Sequence, residues 1–170
     1  SLVETAEEPG GDARYRMLET VRQYGLEQLR EAGQVEATRR RHALFFAGLA
    51  ERAEPQLRGP QVRAWLARLE TEHDNFRSAL DWSLAHGSAE LCLRFAGALG
   101  IFWHRGYLSE GGAWLERLLA RCKEAPPRLR VKAMASASWL LRDLGDYRRA
   151  TALQEESAGI LRAVGDKLGL

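Results

Sequence analysis

The run Leu144-Gly145-Asp146-Tyr147-Arg148-Arg149-Ala150 constrains the fold of this chain more than any other stretch. A helix end meets a glycine, the residue that most easily takes the left-handed conformation closing a helix. An aspartate then starts the next helix, and an aromatic and a small residue follow. That order spells a tight helical hairpin. A related run, Arg105-Gly106-Tyr107-Leu108-Ser109-Glu110-Gly111, lies 39 residues earlier. At this offset Gly106 matches Gly145, Gly111 matches Ala150, Trp114 matches Leu153, Phe95 matches Met134 and Phe102 matches Leu141. An offset of 40 pairs Tyr107 with Tyr147 instead. Two copies of one helical hairpin predict a stacked array, an architecture that presents surface rather than enclosing a reaction centre.

The remainder reads as helix too. Ala, Leu, Arg and Glu abound, strand-like alternation is nearly absent, and the five prolines sit at element edges or in connections. Residues 1–12 read as a flexible leader. Arg14-Tyr15-Arg16-Met17-Leu18 alternates like a strand end, with no second strand evident for it to join. A first helix is predicted from Glu19 to Ala32, with Val21, Tyr24, Leu26 and Leu29 as its apolar stripe and Gly33 as its stop. The second runs from Val35 to Ala53 on Ala43, Phe46, Ala47 and Ala50, and Pro55 ends it. Pro60 opens a third on Val62, Trp65, Leu66 and Leu69. The fourth covers Asn75–His86, capped by Asp74 or Asn75 and closed by Gly87.

The fifth and sixth helices carry Leu91, Phe95, Ala98, Leu99 and Phe102, then Trp114, Leu115, Leu118, Leu119 and Cys122. After Pro126-Pro127 the seventh carries Val131, Met134, Ala137, Leu140, Leu141 and Leu144. The eighth carries Ala150, Leu153, Ser157, Ile160, Leu161 and Val164. Small residues from Ala133 to Ser138 allow close helix approach. Gly165-Asp166-Lys167-Leu168-Gly169-Leu170 resembles the opening of a further unit, which would leave the last hairpin's apolar surface uncovered.

The Gly145-Asp146-Tyr147-x-x-Ala150 run and its period resemble tetratricopeptide repeats, especially the longer, degenerate kind found in bacterial regulators. The front half resembles STAND-class signal-transduction ATPases among bacterial transcriptional regulators. Three runs carry that likeness: Arg14-Tyr15-Arg16-Met17-Leu18-Glu19-Thr20-Val21-Arg22-Gln23-Tyr24, Arg40-Arg41-His42, and 69–82, from Leu69-Glu70-Thr71-Glu72-His73-Asp74-Asn75-Phe76 to Trp82. In such regulators a nucleotide-binding module leads into a winged helix, a helical linker and a repeat sensor. The resemblance thus implies a leader and winged-helix remnant at 1–18, a helical linker at 19–86, and two hairpins with the start of another repeat at 87–170. No Gly-x-x-x-x-Gly-Lys-[Ser/Thr] phosphate loop and no DNA-reading helix occurs. ATP binding and hydrolysis are therefore not carried over, and no cofactor is expected.

The expected fold is all-α, a right-handed α-α superhelix of antiparallel tetratricopeptide-like hairpins with about eight helices. In such arrays the first helices line the concave face. Ala96, Gly100, Trp103 and His104 would then meet Ala135, Trp139, Arg142 and Asp143. Exposed aromatics beside arginine suit a peptide, protein or small-molecule ligand, so Trp103, His104, Trp139 and Arg142 form the candidate groove. Core packing of the two tryptophans is an equal alternative. Trp65, Trp82 and Trp114 share stripes with Leu and Ala and read as core.

Other residue groups favour plain structural roles. His42, His73, His86 and His104 lack a His or Cys three or four residues away, so no metal site is expected. Glu70, Glu72, His73 and Asp74 lack a nucleophile or glycine-rich loop nearby and fit a helix start better than acid–base catalysis. Arg39-Arg40-Arg41-His42 is flanked by Glu31, Glu36, Glu51 and Glu54, and net charge is only +2, which argues against direct nucleic-acid binding. Cys92 and Cys122 fall on apolar stripes and read as reduced core residues, in keeping with a cytoplasmic protein. No apolar run is long enough for a membrane span. The start lacks both a signal sequence and an initiator Met, as in an excised piece.

The expected role is a non-catalytic sensor or interaction arm that relays ligand binding to an upstream ATPase and winged-helix module by intramolecular contact. A general scaffold or self-association module, forming homodimers through the uncovered end, is one alternative. A helical enzyme is the other, and it would need a deep pocket with convergent polar groups.

Overall fold

The structure, a computed structural model, describes residues 3–7 and 13–165. The chain divides into two compact units, Ser1–Arg39 and Arg40–Leu170. In the first, β1 (Val3–Glu7) and β2 (Ala13–Met17) pair antiparallel, from Val3 opposite Met17 to Glu7 opposite Ala13. This corrects the leader expected at 1–12: Val3–Glu7 is the missing partner strand. Its Val-Glu-Thr-Ala-Glu sequence alternates only weakly, which hid it.

Helix α1 (Glu19–Glu31) follows and ends as predicted. Gly33 takes φ +64°, while Gly33 N–H and Gln34 N–H donate to the carbonyls of Arg30 and Leu29. That pair of bonds satisfies the last turn's free carbonyls. The predicted stripe of α1 is covered only in part. Val21, Leu26 and Leu29 are half-buried and Tyr24 is exposed.

From Glu19 on, every element of the described chain is an α-helix. Helix α2 (Val35–Gln56) carries the chain into the second unit, where α3 (Val62–Thr71), α4 (His73–His86), α5 (Ala89–His104), α6 (Leu108–Arg121), α7 (Pro127–Asp143) and α8 (Tyr147–Ala163) follow. Pro55 does not end α2 as predicted. It lies in the final turn, and Leu57 N–H still donates to the Ala53 carbonyl at 3.0 Å. A proline there removes one bond, but the turn beyond it closes normally.

The start of α4 is also corrected. Neither Asp74 nor Asn75 caps it; both lie in its first turn, after Glu72. Asn75 Nδ2 instead donates to Glu72 Oε2 at 2.5 Å. Only one residue separates α3 from α4, too little chain for an extended capping residue.

The core sits on α5. Its residues from Leu91 to Trp103 are buried on nearly every side, as for a helix surrounded by others. The Ser88 hydroxyl caps it, accepting from Leu91 N–H at 3.2 Å. Helix α4 packs on α3, α5 and α6, and α7 packs on α5, α6 and α8. The predicted stripes of α2 are buried, at Ala43, Phe46, Ala47 and Ala50. Trp114 is buried, and Trp65 and Trp82 pack half-buried against the core.

Small residues set the spacing of α5 and α7, since a Cβ on Gly100 would stand 2.7 Å from Ser136 Cβ. Ser138 Oγ, buried, donates to the Ala150 carbonyl and ties α7 to α8. At the α7–α8 turn Gly145 takes φ +86°, Gly145 N–H and Asp146 N–H donate to the Arg142 and Leu141 carbonyls, and Asp146 Oδ1 accepts from Arg149 N–H. The helix end, the glycine stop and the aspartate start of the hairpin signature are thereby accounted for, while Tyr147 is exposed. Gly106, its match in the earlier hairpin, does not take a positive φ. Residues 166–170, where the opening of a further unit was expected, lie outside the described residues.

Candidate functional site

The last turns of α5 and α7 lie side by side. His104 Nε2 stands 2.5 Å from Asp143 Oδ2, and these two residues are 39 apart. Equivalent positions of the two hairpins therefore touch. The His104 ring also meets Trp139 edge to face, with centroids 6.4 Å apart. Trp139 is 44% exposed, and the His104 side chain is 41% exposed.

Beside them opens a cleft of about 500 Å³, lined by Leu57, Arg58, Ile101, His104, Arg105 and Trp139. Leu57 and Arg58 come from the turn after α2, and Arg105 from the end of α5. Chemically the cleft combines an apolar floor, one accessible indole face, an imidazole and two guanidinium groups.

Of the four residues predicted to form a groove, the structure brings His104 and Trp139 together. Trp103 is elsewhere. It is 1% exposed, enclosed among α5, α6 and α7, with Gly111 and Leu140 against it. Its packing is thus the core alternative. Arg142 is on the same turn of α7 with its side chain 54% exposed, its Nε 3.8 Å from Asp143 Oδ1, but it does not line the cleft.

Sequence reasoning passed over Leu57, Arg58, Ile101 and Arg105. The available signal was position: Arg105 adjoins Gly106, and Leu57-Arg58-Gly59-Pro60 is a turn sequence beside the same helix end.

Two smaller clefts flank α7. One of about 300 Å³ lies between α7 and α8 on Ala135, Ser138, Trp139, Gln154, Ser157 and Ala158 among others. Another of about 250 Å³ lies among α6, α7 and α8, with Glu116, Leu141, Arg149 and Glu156 on its walls.

The acidic cluster at the α3–α4 junction points in several directions. Asp74 pairs with Arg77, which reaches across to Glu110 of α6 through two bonds of 2.8 and 2.7 Å. These hold the Glu110 carboxyl below its ordinary value near 4.5, against the opposing effect of burial. His73 is 8% exposed, packed on Phe102 and Tyr107, with Nε2 3.2 Å from Glu110 Oε1 but not aligned for a hydrogen bond.

Cys92 and Cys122 are buried, free and mutually close. Burial, with Cys122 alongside, pushes the Cys92 thiol up to about 12, and burial raises Cys122 as well. In the basic run, Arg39 pairs loosely with Glu36, and burial lowers the His42 pKa. Among the described residues no group of three or more His, Cys, Asp or Glu side chains could hold a metal ion. Nor is any described helix long and apolar enough to cross a membrane.

Known proteins resemble the chain along its whole length. It aligns with a Mycobacterium tuberculosis protein named as an HTH-type transcriptional regulator at 31% identity over 179 positions, and equally with a Mycobacterium bovis protein of the same description. The alignment covers 100% of this chain but 20% of each relative, so the chain spans about a fifth of the length of the curated relatives it matches. No family model and no solved structure matches it. By sequence, then, the chain is similar to one region of transcriptional regulators.

Proposed function

We propose that this chain is the non-catalytic sensing arm of a cytoplasmic bacterial transcriptional regulator of the STAND class. In this reading α5–α6 and α7–α8 are tetratricopeptide-like hairpins on a right-handed superhelical path, and residues 19–86 are the linker. The arm binds a peptide, protein or small-molecule inducer and contacts neither DNA nor membrane itself. An upstream nucleotide-binding and winged-helix module receives the signal by intramolecular contact.

One observation carries this reading: the His104–Asp143 contact, which joins residues one repeat apart. Such a contact is what a translational stack of like hairpins produces. Similarity to transcriptional regulators supports the setting. A ligand touching α5 and α7 together would favour one angle between the hairpins, and that preference is the signal.

The test is a metabolite and peptide screen against the 170-residue chain, read by amide and indole NMR shifts. Binding should move resonances of His104, Trp139 and Arg142. Shifts confined to α6 and α8, or no binding by any member of the screen, would overturn the reading.

A second reading is favoured by α7–α8, where Trp139, Leu144, Tyr147 and Val164 are exposed and Trp139 also lines the 300 Å³ cleft. Apolar surface of this kind suits self-association. Light scattering distinguishes the two: a dimer broken by Tyr147→Glu supports self-association, and a monomer at high concentration removes it.

A further inference from the structure

The cleft at the ends of α5 and α7 has an electrostatic feature that its general role as a groove leaves unexplained. Several arginines of the second unit are bound to glutamates on other helices. Arg77 binds Glu110, Arg94 binds Glu51, Arg130 binds Glu156, and Arg149 binds Glu116. Arg58 and Arg105 both line the cleft, and among the described residues neither meets a carboxylate. Nearby acids have other partners: Asp143 is engaged by His104 and lies near Arg142, and Glu54, one turn before Arg58, is bound to Lys132 of α7. Two guanidinium groups therefore line a cleft whose walls contain no carboxylate. Beside them stand the apolar Leu57 and Ile101 and the exposed Trp139 ring.

From this juxtaposition we infer that the cleft binds a small planar carboxylate, its flat body against Trp139 and Ile101 and its carboxylate met by Arg58 and Arg105. Guanidinium is the side-chain group whose planar fork matches a carboxylate in two parallel hydrogen bonds. An indole face favours a flat, polarisable body over a flexible aliphatic one. The volume, about 500 Å³, is that of a small-molecule site. A cation would face two like charges in a cleft whose lining holds no carboxylate. This inference rests on the sensing-arm reading and names the chemistry of its ligand.

The experiment titrates the 170-residue chain with 2-naphthoate and with its neutral isostere 2-naphthamide, by calorimetry and NMR. Naphthoate is expected to bind with a Kd below about 1 mM and to move the Trp139 indole resonance. Naphthamide should bind roughly tenfold more weakly, the worth of a charge-assisted hydrogen bond. Arg58→Gln and Arg105→Gln should each weaken naphthoate by a similar factor and leave naphthamide unchanged. Both residues are exposed, and helical circular dichroism should confirm that the variants fold.

Equal binding of acid and amide, or indifference to both arginine substitutions, would overturn the carboxylate inference. If Trp139 still responded in those cases, the groove reading would stand. Failure of naphthoate to bind overturns the inference as well, and the broader screen then judges the groove separately.

Discussion

Trp103 and Trp139 belong to the first helices of successive hairpins, yet one is sealed and the other open. The difference comes from what faces them. Gly111 of α6 lacks the Cβ that would stand 2.5 Å from Trp103 Cγ and 2.7 Å from Leu140 Cδ2. Gly111→Ala should therefore destabilise the fold by about 1–3 kcal/mol through overpacking, read as a lower urea midpoint with an unchanged slope. A neutral result would mean that Trp103 is not locked there.

Trp103 was hard to place from sequence because α5 is apolar all round. A helix buried on every side has no polar face to fix its orientation. The Gly111-Gly112 pair, two small residues on the next helix, was the legible hint of a large ring above it. Turn glycines separate in the same way. Gly145→Ala, at φ +86°, should cost about 1 kcal/mol. Gly106→Ala, with an ordinary φ and open space at its Cβ, should cost less in the same urea titration. Alignment alone treats these two glycines as equals; only the backbone distinguishes them.

At the scale of helices, the boundaries of α1 and the α7–α8 turn were legible because caps are local chemistry. The α2 end and the α4 start were not, since whether Pro55 stops a helix depends on the turn beyond it. Pairing between helices is also invisible in one dimension. Arg77–Glu110 links α4 to α6, and Arg94–Glu51 links α5 to α2 with bonds of 2.7 Å. Hydrogen bonds from these arginines hold Glu110 and Glu51 below the ordinary carboxylate value.

A depressed folded-state pKa stabilises above the unfolded value and is lost as pH falls. His42 has the same sign, because burial disfavours its charged form. Acidification should thus lower Tm first below the ordinary histidine value of 6.5 and again below the carboxylate value of 4.5. Arg77→Gln should reduce the second step, and a Tm rising between pH 7 and 4 would contradict the sign. Cys92 and Cys122 supply a separate check on packing between helices. Buried, with raised pKa values, both should resist a thiol reagent such as DTNB until denaturant is added. Labelling of either in native buffer would show that the α4–α6 core opens.

For the molecule as a whole, the division into two units has a consequence for stability. Among the described residues every buried hydrophobic side chain lies between Ala43 and Leu161, and α1 buries none. Hydrophobic burial dominates the favourable side of folding, so the second unit holds the residues that drive it. A chain begun at Gln34, keeping all of α2, should fold cooperatively with a Tm within about 5 °C of the full chain, a difference near 1 kcal/mol. Thermal melts followed by circular dichroism at 222 nm measure this directly. The complementary peptide, residues 1–33, has a two-stranded hairpin and one helix with no buried side chain, and it should be largely unfolded alone. If the Gln34 chain instead melted without a transition, the core from Ala43 to Leu161 would be insufficient by itself. Residues 34–170 would then depend for their folding on the segment that precedes them.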